Sequence, residues 1–294
     1  MVKKKILLTG ATGFLGSHLL ENFIVQGFDV AILKRSTSKD WRIIHLLNEF
    51  KSYDIDKITL EVVFNEFKPD IIIHTACSYG RNKESIADIL NTNLIFSVDL
   101  LEHAILNNTS TFINTDSLLP RSINNYSLSK AQFSEWLQKY STSIQCINFK
   151  IEHMYGVRDD SNKFIPWIIN EMINKNGSIN LTSGIQLRDF IEVSDVVSAY
   201  DLVVHKRSSL QVWNEFELGT TTFTEVKKLV LKLALMIENK FDKKILPRLN
   251  FGAVQYRKEE IMIPTLDNSK LIELGWKPVV TVDEGVRKIL KEYK

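Results

Sequence analysis

The chain has 294 residues, 44% hydrophobic and 24% charged, with a formal net charge of +2. That is the composition of a globular protein, and so small a charge gives no electrostatic ground for nucleic acid or an anionic membrane as partner. Cys77 and Cys146 lie far apart and form no CxxC or CxxH pattern, so neither a disulfide framework nor a zinc site is expected, and no metal.

The opening "MVKKKILLTG" has an apolar run only as long as a strand, without the apolar core and cleavage site of a signal peptide. No stretch approaches the roughly 18 uncharged apolar residues of a membrane span, so a cytoplasmic location is the expectation. "KKILLTG" reads as a buried strand, and "GFLGSHLLENFIVQG" as a helix with Phe14, Leu15, Leu19, Leu20 and Phe23 near helical spacing. Strand "FDVAILK", a helix around "DWRIIHLLNEF", strand "SYDI" and helix "DKITLEVVFNEF" follow. "PDIIIHTA" is too short for a helix and reads as a buried strand. A long helix over residues 83–107 leads to strand "STFINT", a helix containing "YSLSK", and strand "SIQCINFK". This alternation predicts an α/β fold, a Rossmann-type doubly wound parallel sheet. Beyond "GVRDDSN" the rhythm is irregular, with shorter helices near 162–175, 194–205, 222–238 and 282–293. We expect a dinucleotide-binding domain over 1–155 and a smaller mixed α/β substrate lobe over 156–294, part of which returns to the main sheet.

Gly10, Gly13 and Gly16 stand between the first strand and its helix. Glycine there admits a tight turn and lets backbone N–H groups at a helix N-terminus approach a pyrophosphate; close helix–strand packing alone is the other explanation. In "YSLSK", Tyr126 and Lys130 stand one turn apart on a shared face. They are either a surface tyrosine above a solvated lysine or an acid–base pair in which a cation eases loss of the phenolic proton.

The context of these motifs is informative. "GATGFLG", "YDID", "IIIHTAC", "NTNL", "NTDS", the YxxxK pair, "EHMYGVRD", "QLRDFIEVSDVVSAY" and "LGWKP" occur in an order that resembles the extended short-chain dehydrogenase/reductase family of nucleotide-sugar epimerases, dehydratases and reductases. The resemblance spans nearly the whole chain. It implies that Gly10, Thr12, Gly13, Phe14, Leu15 and Gly16 hold the cofactor, with Asp54 and Ile55 at the adenine and Thr75 and Ala76 beside it. Asn93 falls at the family's structural asparagine. The second strand ends in Lys34 and Arg35, without the carboxylate that would select NAD. NADP(H) is therefore preferred, with NAD(H) possible, unless both cations are merely solvated.

By the same resemblance Tyr126 is the acid–base residue, Lys130 lowers its pKa and binds the nicotinamide ribose, and Thr115 shares the substrate oxygen. Sugar 4,6-dehydratases read Thr-Asp-Glu where this chain has Thr115, Asp116 and Ser117. A serine hydroxyl is too weakly basic for the glutamate's task, so dehydration is not expected, and Asp116 and Ser117 are assigned to substrate. Only ten residues separate Thr115 from Tyr126, a short loop. Arg188 and Arg257 fall where relatives contact the nucleotide diphosphate, while Asp189 reads as structural. His153 replaces the usual asparagine, either bonding sugar or phosphate or resting in the core.

Within the family the spelling is most similar to 4-ketoreductases of CDP-linked 4-keto-3,6-dideoxyhexoses, which use NADPH to make O-antigen sugars. A nucleotide-sugar substrate, CDP-linked, is implied. So is a homodimer through the long helix and the YxxxK helix. The alternatives are an NAD-dependent 4-epimerase and a dinucleotide-sensing protein without chemistry.

Overall fold

The computed structural model describes residues 3–81 and 83–293. From its start the chain forms β1 (Lys5–Thr9), α1 (Phe14–Val25), β2 (Asp29–Lys34), β3 (Lys51–Asp54), α2 (Leu60–Phe67) and β4 (Ile71–His74). The helix anticipated around residues 40–50 is not formed. Turns and a single 3-10 turn, Ile44–Leu46, take its place, because Ile43 and the side chain of Arg42 both turn inward.

The long helix is divided into α3 (Ile86–Leu90), a π turn at Asn91–Ile95, and α4 (Phe96–Leu106). Ser85 opens it with a reciprocal capping box to Asp88. By length and composition alone, Ile86–Leu106 is long and apolar enough to cross a membrane. Yet Ile89, Asn93, Ser97, Leu100, Leu101 and Ala104 form one buried stripe at helical spacing, as expected of a helix lying on a sheet. β5 (Thr111–Ser117), α5 (Asn125–Tyr140) and β6 (Gln145–Ile151) complete this run.

β7 (His153–Tyr155), α6 (Phe164–Asn174), β8 (Ile179–Leu181), β9 (Leu187–Glu192) and α7 (Val193–Lys206) come next, before β10 (Trp213–Leu218). The last elements are β11 (Phe223–Glu225), α8 (Val226–Phe241), β12 (Leu249–Phe251), α9 (Ser269–Glu273) and α10 (Val282–Lys291).

Two compact units result. The first runs through Ile151 and regains the chain at Val197–Leu218; the second is Glu152–Val196 with the residues from Gly219 onward. The first unit holds a seven-stranded sheet in the order β10-β6-β5-β4-β1-β2-β3, every pairing parallel. Ile6, Leu7, Leu8 and Ile71, Ile72, Ile73 are wholly buried, as strands covered on both faces require. The order reverses between β1 and β4, the switch point at whose carboxyl edge open α/β sheets bind ligands.

In the second unit, Val226, Leu229, Val230, Leu233, Ala234 and Ile237 of α8 repeat every three or four residues and pack with Ile165, Ile168, Ile169 and Met172 of α6. The "LGWKP" segment is fastened there. Trp276 Nε1 donates to the Asp195 carbonyl, and the Asp195 carboxylate accepts from the amides of Val279 and Val280.

Candidate active site

Register brings the first unit's predicted residues together. Thr9 of β1 lies opposite His74 of β4, which lies opposite Asn114 of β5. Gly10, Thr75 and Thr115, each one residue further on, therefore share one lip of the sheet. Gly10 has a φ of +70°, and a Cβ on it would lie 2.6 Å from Thr75 Oγ1. A Cβ on Gly16 would stand 2.1 Å from the Gly10 carbonyl oxygen. These two glycines serve close packing of the turn.

Gly13 differs: it is the N-cap of α1, makes no side-chain capping bond, and has no acidic residue in the turn it opens. The first amides of α1 are thus left for an anion, and a pyrophosphate fits this cradle. Thr12, Phe14 and Leu15 belong to the same turn. Thr75 Oγ1 donates to the Thr9 carbonyl at 2.8 Å, and the Ala76 amide donates to Thr9 Oγ1 at 3.2 Å, bracing the loop against β4.

His74 sets this brace. Ser97 Oγ donates to the Asn93 carbonyl, so it accepts from His74 Nε2 at 2.8 Å. Nδ1 then accepts from Thr9 Oγ1 at 2.8 Å. Burial, and secondarily the charge of Lys130, hold the imidazole pKa well below its usual value, consistent with this neutral tautomer.

At the ends of β2 and β3, Lys34 is engaged by two carboxylates, Asp54 at 3.2 Å and Asp40 at 3.6 Å. Asp54 also holds Lys57 at 2.9 Å. Hydrogen bonds to Lys57 and Lys34 keep the Asp54 carboxyl below its usual range. The Ile55 amide donates to the Lys34 carbonyl. Arg35 is exposed beside them. A residue that sequence reasoning missed lies close by: buried Arg42, whose Nη1 donates to the Thr12 carbonyl at 3.2 Å while its guanidinium covers Trp41. Helical spacing had absorbed Arg42 into a helix that does not exist.

Tyr126 and Lys130 are on the first turns of α5, which Asn124 opens with a capping box to Ser127. Ser129 Oγ donates to the Tyr126 carbonyl, and Asn93 Nδ2 donates to Ser129 Oγ at 3.0 Å. Asn93 also clasps the backbone of Ser78 through both amide atoms. One buried asparagine therefore ties α5 to the segment after β4. From that segment the Tyr79 ring lies 4.8 Å from the Tyr126 ring, and Arg81 covers Tyr79.

Tyr126 and Lys130 share Cys77 and Asp116 as titratable neighbours. Burial, then Cys77 and Asp116, raise the Tyr126 pKa well above 10, and the opposing cation is Arg81. The expected lowering by Lys130 is not found. Lys130 is itself only 1% exposed, and desolvation lowers its own pKa by disfavouring the ammonium. Thr115 Oγ1 is hydrogen-bonded to Tyr200 of α7 at 2.7 Å.

Asp116 faces the sheet interior, where its carboxylate accepts from Asn148 Nδ2 at 3.1 Å and from the Ser117 amide at 2.7 Å. Ser117 Oγ accepts from the Leu119 amide. In the second unit His153 is exposed, with Nδ1 2.6 Å from Glu152. Arg188 is half-buried: its guanidinium pairs with Glu260 and donates to the carbonyls of Leu187 and Ile261. Arg257 is exposed on the turn that Arg188 thereby holds, its carbonyl accepting from the Glu260 amide. Asp189 is buried and accepts from the Thr220 amide and hydroxyl, a structural role. Among the described residues no group of three or more His, Cys, Asp or Glu side chains is arranged to hold a metal.

Comparison with known proteins identifies the family. Residues 6–219 match the model of the NAD dependent epimerase/dehydratase family. The chain is 34% identical to CDP-abequose synthase of Salmonella muenchen, over 98% of each chain. It is 31% identical to the CDP-abequose synthase of Salmonella typhimurium, over 99% of this chain and 98% of that one. Among solved structures, UDP-glucose 4-epimerase of Thermotoga maritima, with UDP-glucose, superposes with a TM-score of 0.83 at 23% identity, covering 98% of each chain.

Proposed function

Because the chain belongs to the NAD dependent epimerase/dehydratase family, as an NAD(P)-dependent nucleotide-sugar oxidoreductase, we propose that it reduces the C4 ketone of a nucleotide-activated deoxysugar. The substrate is CDP-4-keto-3,6-dideoxy-D-glucose and the product CDP-abequose, or its C4 epimer CDP-paratose, destined for O-antigen. The observation that supports this reading is the shared lip of Gly10, Thr75 and Thr115, with Tyr126 and Lys130 both neighbouring Asp116 of the same strand as Thr115, and with Ser117 where a dehydratase needs a base.

NADPH bound at the glycine loop supplies the hydride. Tyr126 delivers its proton to the C4 oxygen, and Thr115 donates a hydrogen bond to the same atom. Lys130 holds the nicotinamide ribose. Arg35 carries the preference for a 2′-phosphate, since Lys34 is already matched by Asp40 and Asp54. In the second unit Arg188 and Arg257 are the diphosphate ligands, and His153 a sugar contact.

A neutral phenol suits reduction. An oxidative first step, as in a 4-epimerase, instead needs the phenolate to take up the substrate's proton. The likeness to UDP-glucose 4-epimerases nevertheless keeps that activity as the second reading. Incubation with CDP-4-keto-3,6-dideoxyglucose plus NADPH or NADH, followed by NMR of the product's C4 configuration, tests the proposal. Stoichiometric NADPH oxidation with a 4-hydroxy product is expected. Protein that carries tight NAD as purified, and interconverts C4 epimers without added cofactor, overturns it in favour of the epimerase.

Exposed apolar side chains on the π turn, α4 and α5 support a homodimer. Ile95 is 58% exposed, Leu106 70% and Trp136 39%. A groove lined by Leu94, Ile95, Phe96, Val98 and Trp136, together with the polar Asn91, Asp99 and Glu102, lies among them.

A further inference from the structure

Thr115 can help the C4 oxygen only if its single proton is free to point there. Its Oγ1 has one hydrogen-bond partner among the described residues, the hydroxyl of Tyr200, at 2.7 Å. The distance alone allows either atom to donate, but burial decides the direction. Tyr200 is 0% exposed and its hydroxyl has no other partner among the described residues, so a proton not given to Thr115 is a buried donor left unused. Thr115 is part-open at the lip of the sheet, where its own proton has an outlet.

Resting on the ketoreductase reading above, we propose that Tyr200 is a positioning residue: its phenol donates to Thr115 Oγ1 and turns the Thr115 proton toward the substrate oxygen. The two hydroxyls then act in series, each polarising the next as negative charge develops at C4. The Tyr200 ring is fixed by stacking on Phe149, with centroids 4.3 Å apart, so the donor costs no reorganisation during the reaction. Burial raises its pKa, and the phenol keeps its proton throughout the neutral range. The residue escaped sequence reasoning because it reaches Thr115 from a helix 85 positions later.

Tyr200→Phe retains the stacked ring. We expect it to fold and bind NADPH like the wild type, with kcat about tenfold lower and KM for the keto sugar changed less than about twofold. In a Thr115→Val background the same change should cost no further activity. Melting temperature gives a readout that does not depend on turnover. Thr115→Val strands the buried phenol and should melt lower, whereas adding Tyr200→Phe should restore stability.

Wild-type kcat in Tyr200→Phe, additive losses in the double variant, or a double variant that melts below Thr115→Val would each overturn the proposal. If Tyr126→Phe is inactive while Tyr200→Phe is fully active, only this inference fails. If the wild type reduces no keto-sugar nucleotide, the reading of the site fails and this inference with it.

Discussion

At the scale of single residues, the proposed reduction makes the protonation of Tyr126 the controlling variable. As an acid it works while protonated. Burial raises its pKa, so the working form persists at neutral pH and disappears only as pH climbs through that raised value. We expect kcat for NADPH-dependent reduction to show no alkaline limb in the neutral range; a limb centred near pH 7 would contradict the assignment. Tyr126→Phe should bind NADPH, measured by fluorescence titration, and lose at least about two orders of magnitude in turnover. Arg35→Ala should raise the Kd for NADPH about tenfold or more and leave NADH binding unchanged, because only one of the two carries the extra phosphate. Lys34→Ala, by contrast, disrupts a pair of internal ion contacts and should affect both cofactors alike.

At the scale of elements, the glycine turn is set by contact distances. Gly16→Ala drives a methyl into the Gly10 carbonyl, 2.1 Å from the new carbon, where rigid backbone cannot yield. Calorimetry should register a loss of about 1–3 kcal/mol or more, with cofactor binding abolished. Gly13→Ala meets only the Gly10 carbonyl at 3.1 Å and should cost less stability than affinity.

This element was legible in the sequence because its cause is local: an apolar strand, spaced glycines and an amphipathic helix follow one another. The Ile71–Ile73 strand and the YxxxK helix were legible for the same reason. The stretch around Arg42 was not, since its apolar spacing mimics a helix while the arginine is pulled inward by a carbonyl thirty positions earlier. Nor was the neutralisation of Lys34, which depends on which carboxylates the β2–β3 pairing brings alongside. The Asn93 clasp was marked by its motif, but its work in joining Ser78 to Ser129 is a tertiary fact.

At the scale of the whole molecule, the apolar helix faces make assembly testable. Trp136→Glu places a further charge in the groove beside Ile95 and Val98; light scattering is expected to report the proposed dimer for the unaltered protein and a monomer for the variant. The path of the chain has a further effect on biogenesis. β10 pairs with β6 along Trp213–Leu218, yet some sixty residues belonging mainly to the other unit are made between them. While the polypeptide emerges from a ribosome, the β6 flank therefore stays bare, its amides and carbonyls open to any passing strand. A fragment ending at residue 155 would keep that raw margin permanently and is expected to precipitate, whereas synthesis continued past Leu218 supplies the missing selvedge.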